Sequence, residues 1–166
     1  MKRHSIFTTG VPGMLLAALV VPGSAATVPS LAGTWTLVAA DVRHPDGTLG
    51  RDYGAAPQGL LLIDARGNYS LQIFKSERPR FGSNDKSKGT PDEYREAVLG
   101  SSTHYGTLDV DAAQRTLTFH ITDSSFPNWV GQAQVRSYEL KGNELSYRVP
   151  PRPNGDVPIS VWRRVD

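Results

Sequence analysis

The chain has 166 residues, no cysteine, 18 Lys+Arg against 16 Asp+Glu, and a formal charge of +2. A chain of this length fits one domain that buries roughly two-thirds of its unfolded surface, and 39% apolar with 20% charged residues excludes a disordered chain and a membrane bundle. Without cysteine there is no disulfide framework, thiolate nucleophile or zinc–thiolate site.

The first segment, 1–26, reads as an export signal. Lys2 and Arg3 precede an apolar stretch at 14–21, and Ser24, Ala25 and Ala26 offer small residues for cleavage before Thr27. The apolar run is eight residues long, too short to span a bilayer, which needs about 20. The expected location is therefore periplasmic or secreted, by the general route, with residues 27–166 as the working domain. Loss of Lys2 and Arg3 leaves 16 cations against 16 anions. A neutral domain has no basic field for DNA or RNA, so nucleic-acid binding is not expected.

The mature segment predicts short strands separated by turns at near-regular spacing, the pattern of a sandwich or barrel. From Gly33, alternation places Trp35, Leu37 and Ala39 on one face of a strand of about ten residues. Segments 58–64 and 69–74 flank the turn Ala65-Arg66-Gly67-Asn68 and predict a hairpin. Thr90 as N-cap, Pro91 and Glu93 then mark a helix over 91–99, ended by Gly100 and expected to lie against the barrel as a flap or plug. Segments 103–110 and 115–123 form a second hairpin, 132–140 and 144–149 a third, and 159–165 a last strand. The total is eight. Eight antiparallel strands close into a barrel that is filled by side chains or holds one small ligand.

The opening Leu31-Ala32-Gly33-Thr34-Trp35 carries the Gly-x-Trp start of lipocalin barrels. It is followed by Asp46-Gly47, Tyr53-Gly54, Gln58-Gly59, Gly67-Asn68-Tyr69, the helix at Thr90-Pro91-Asp92-Glu93-Tyr94, then Ser125-Phe126-Pro127-Asn128-Trp129 and Trp162-Arg163-Arg164. Together these resemble the bacterial lipocalin-like domain family over nearly all of residues 31–164. The resemblance implies an all-β, single up-and-down antiparallel barrel with a pocket for a small apolar or amphipathic molecule. It also implies a basic residue of the last strand packed across Trp35. Arg163 or Arg164 can play that part, and Arg163, in phase with Ile159 and Val161, is the one favoured.

The mature histidines, His44, His104 and His120, show no pairing at metal-ligand spacing, so neither a metal nor a cofactor is expected. His120 falls on the polar phase of its strand and should face solvent. His104 shares a face with Leu108 and Val110; if that face is internal, its imidazole meets Tyr69 and Tyr147 in the cavity, as a hydrogen-bonded structural group or as a ligand-contacting or acid–base residue. Tyr94, Phe126, Trp129 and Arg80 complete the expected ligand-contacting set, with Gly33, Trp35 and Arg163 structural. No serine elbow or carboxylate pair supports hydrolysis. The loop 75–88 collects five cations against two anions and is either a solvated surface or the electrostatic part of a binding site. The expected function is a monomeric exported binder of a small apolar or amphipathic molecule. A cofactor-free cyclase or isomerase using the same cavity, or a filled-barrel envelope module, are the alternatives.

Overall fold

The computed structural model describes residues 30–165; the expected export signal lies outside the described residues. The elements in order are β1 (Gly33–Arg43), β2 (Leu49–Gly50), β3 (Gln58–Ile63), β4 (Asn68–Phe74), α1 (Pro91–Leu99), β5 (Ser101–Asp111), β6 (Thr116–Ser124), a single 3-10 turn Pro127–Trp129, β7 (Ala133–Lys141), β8 (Glu144–Arg148) and β9 (Val157–Arg164). Every strand pairs antiparallel with its neighbour, and β1 pairs with both β3 and β9. The sheet therefore closes into an eight-stranded barrel, with β2 a two-residue annex on β1. Closure leaves no long unpaired edge.

The two ends of the barrel differ. At one end the connections are tight turns, between Ile63 and Asn68, Asp111 and Thr116, and Lys141 and Glu144. At the other end lie the long connections 44–57, 75–100, 125–132 and 149–156. The tight-turn end is filled. Trp35, Leu61, Leu117, Leu145 and Trp162 are completely buried, and Leu31 covers them. Such side chains contribute about 1.5–3 kcal/mol each through burial.

Arg164 seals this base. Its guanidinium lies 4.1 Å over the Trp35 ring and donates to the carbonyls of Ala32 (2.6 Å) and Ser30 (2.8 Å). Trp35 Nε1 donates to Leu31 O at 3.0 Å. The expectation that Arg163 plays this part is corrected: it points outward to Glu144 at 3.8 Å. The reason is phase. Trp35 pairs directly with Arg164, and the buried residues of β9 are Ser160 and Trp162, so the apolar-looking row Ile159 and Val161 is not the one in line with the seal. The same packing explains the glycine of Gly-x-Trp. Gly33 has φ +141, and a Cβ there would stand 2.7 Å from Arg164 Nη1.

Two bulges set the remaining strand phases. In β1 the register jumps between Leu37 and Ala39, so Ala40 and Val42, rather than Ala39, are the next fully buried residues. In the β5–β6 pair it jumps between Tyr105 and Gly106, which keeps His104, Gly106 and Leu108 internal opposite Phe119 and Ile121. Gly106 is obligatory at this point, because an added Cβ would overlap the carbonyl oxygen of His120 at 1.9 Å.

Helix α1 begins with the capping box read from the sequence: Glu93 N donates to Thr90 Oγ1 and Thr90 N donates to Glu93 Oε2. The helix does not plug the barrel. None of its residues is buried, and Tyr94 instead packs edge-on against Phe81 and accepts from Gly89 N. The part expected of the helix falls to Trp129 and Tyr53, both packed against the core from the long-loop end.

Candidate functional site

Below Trp129 and Tyr53 lies a cavity of about 120 Å³. Its apolar wall includes Ala40, Leu71, Ile73 and Ile159, and its polar groups come from His104, Gln134, Arg136, Tyr147 and Ser160. Asp41, Asp52 and Arg152 also line it; Asp52 and Arg152 pair at 3.2 Å and are half exposed. A wider depression of about 330 Å³ runs over the outer face of β4–β6, between Ser70, Gln72, Thr103, Tyr105 and Asp123. Its short polar lining on an open wall makes it a surface groove, so the interior cavity is the candidate site.

The floor of the cavity is one connected cluster. Arg136 leaves β7 opposite Leu117 and extends so that its guanidinium lies 4.2 Å over Phe119 and 5.0 Å over Tyr147. Its Nη2 donates to Gln134 Oε1 at 2.8 Å and to His104 Nε2 at 3.3 Å. His104 Nδ1 lies 2.7 Å from the Tyr69 hydroxyl. These contacts fix the tautomer. A guanidinium can only donate, so Nε2 accepts, the imidazole proton sits on Nδ1, and Nδ1–H donates to the Tyr69 oxygen.

Electrostatics agree with a neutral ring. Burial, reinforced by the Arg136 charge, pushes the His104 pKa down to about 3. Burial raises that of Tyr69, partly offset by Arg136. At neutral pH both groups are therefore uncharged, with His104 accepting from Arg136 and donating to Tyr69.

The expected residues separate into two groups. Tyr69, His104, Tyr147 and Trp129 come together in and around the cavity: His104 packs edge-on against Tyr69 (5.3 Å), Phe119 (5.6 Å) and Trp129 (6.0 Å). Tyr94, Phe126 and Arg80 lie outside it. Phe126 packs on Trp129 but is exposed, and Arg80 borders a surface pocket with Arg78 and Phe81. His120 is exposed, 2.8 Å from Asp109, as its strand phase predicted.

Arg136, the cation of the interior, escaped the sequence reading, which looked for charge in the 75–88 loop. In β7 an arginine faces inward and a valine outward: Arg136 is 5% exposed while Val135 is 50% exposed. The available signal was Tyr138 and Leu140, which share a phase with Arg136 and pack against the core.

The barrel closed by β1–β9, with its Gly-x-Trp base and single mouth, agrees with a match to the family described as a lipocalin-like domain over residues 32–165. The chain belongs to that family. No curated protein matches this lipocalin-like chain. Among solved structures, it is similar to an uncharacterized protein from Bacteroides eggerthii at 13% identity and a TM-score of 0.40, covering 82% of this chain and 100% of that one.

Proposed function

We propose that this lipocalin-like domain binds a small amphipathic molecule in the mouth-side cavity of its barrel. The observation that carries the reading is the division of the interior into a filled base and a polar-floored cavity under Trp129. A purely structural barrel has no need to bury hydrogen-bonding groups beneath an opening, where each unpaired one costs about 1–3 kcal/mol. The neutral, hydrogen-bonded His104–Tyr69 pair favours binding over isomerase chemistry. An apolar cavity of about 150 Å³ holds a benzene ring, so a body of about 120 Å³ limits the enclosed part to a handful of heavy atoms. Larger occupants must extend through the mouth.

The test is amide-detected NMR titration with a panel of small amphiphiles. Saturable shifts at Ser102, Gln134 and Ser160 are expected, and their absence across the panel would remove the binding reading. Export belongs to the same proposal and rests on Lys2, Arg3, the apolar 14–21 run and the Ser24-Ala25-Ala26 site. Mass spectrometry of protein recovered outside the cytoplasm should give an N-terminus at Thr27.

A further inference from the structure

Arg136 is a buried cation without a counter-ion. Among the described residues no carboxylate lies within ion-pair distance of it; the salt bridges are all elsewhere. Both of its hydrogen-bond acceptors are neutral and both use Nη2, and Nε has no partner. The hydroxyl of Tyr147, whose ring lies 5.0 Å from the guanidinium, is likewise buried and unpartnered. Buried charges are ordinarily paired, because removal from water costs several kcal/mol per ion even after relaxation. The rings of Phe119 and Tyr147 supply part of the missing stabilisation, yet a π-face carries only partial negative charge and no formal charge to balance the cation. What the arrangement lacks is one anionic acceptor.

Resting on the binding function proposed above, we infer that the ligand is a monocarboxylate whose head pairs with Arg136 and whose apolar body lies along Leu71, Ile73, Ile159 and Trp129. One guanidinium balances one negative charge, and its planar fork matches a carboxylate. The apolar side chains of Leu71, Ile73, Ile159 and Trp129 beside the cation favour an acid with an alkyl body over an inorganic anion. Attraction is local to the floor: at the rim Asp52 is balanced by Arg152, and Asp41 adds a carboxylate that disfavours a head lodged at the mouth. The acid therefore enters head first, and its tail points outward past Trp129.

The experiment compares pentanoate with pentanamide and pentan-1-ol by calorimetry and NMR at pH 7, with phosphate and sulfate as further arms. Pentanoate should bind at least tenfold more tightly than either neutral analogue, the difference a charge-assisted bond makes. Lengthening the acid should gain about fourfold per methylene while the tail remains inside and then level off at the mouth. Arg136→Met should abolish the preference for the acid over both neutral analogues. Tyr147→Phe should weaken pentanoate severalfold. Equal or weaker binding of pentanoate than of pentanamide overturns the inference while the binding function stands. Saturation by phosphate or sulfate with no gain from an alkyl tail also overturns it. Failure of every compound to bind overturns the binding function itself. The acid–amide comparison uses the native protein and does not depend on a variant folding.

Discussion

Acidification from pH 7 to pH 5 should destabilise the protein through His104 alone by about 2 kcal/mol. The folded imidazole, buried beside the Arg136 guanidinium, refuses a proton until about pH 3, whereas in the unfolded chain it titrates near 6.5. At pH 5 the two states differ by about 1.5 pH units of protonation free energy at about 1.36 kcal/mol each. Because the folded pKa is the lower one, stability is full above the unfolded value and falls as pH drops through 6.5 toward 3. His44 acts in the opposite sense. Its hydrogen bond to Asp156 raises its pKa, so its stabilisation is present at low pH and fades as pH rises. The assay is urea unfolding of the native protein and of His104→Gln at pH 7 and pH 5. Between pH 7 and pH 5 the native protein should lose about 2 kcal/mol more than the variant, whatever the variant's absolute stability. Equal pH dependence in the two proteins would refute the placement of a neutral, buried His104.

Other outcomes follow from the base, the bulge and the helix. Arg164→Ala removes two carbonyl bonds and the stack on Trp35 and should cost about 2–4 kcal/mol in urea unfolding. Arg163→Ala, with only an exposed pair to lose, should stay within about 0.5 kcal/mol. Gly106→Ala forces the β5–β6 bulge apart, and circular dichroism should show an unfolded or severely destabilised chain. Thr90→Ala should cost about 1 kcal/mol locally, seen as faster amide exchange in α1 with an unchanged global midpoint, because no α1 side chain is buried.

Strand order, the hairpins and the helix limits were legible because turn residues and caps act locally. The capping box at Thr90 and Glu93 depends on four consecutive residues and needs no tertiary knowledge. Phase was harder. A bulge near Val38 or a strand such as β9 with an apolar row on its outer side turns one residue of uncertainty into the exchange of Arg163 for Arg164. The internal row of His104 and Leu108 was legible because β5 itself alternates unbroken through Gly106; the extra residue of the β5–β6 bulge, Thr122, lies on β6. Arg136 was missed for a different reason: ordinary patterning sends arginine to the surface, and only closure of the barrel over Phe119 and Tyr147 gives its charge an interior place.

The clamp of Arg164 on Ser30 and Ala32 also fixes the direction from which the chain enters. Since Trp35 pairs with Arg164, the first and last strands start and finish side by side at the sealed base, opposite the cavity. A tether or fusion partner joined directly to either of these strand ends is therefore attached at the base. Surface-immobilised protein attached there would present its binding mouth to solution, and ligand access should be the same for N-terminal and C-terminal attachment.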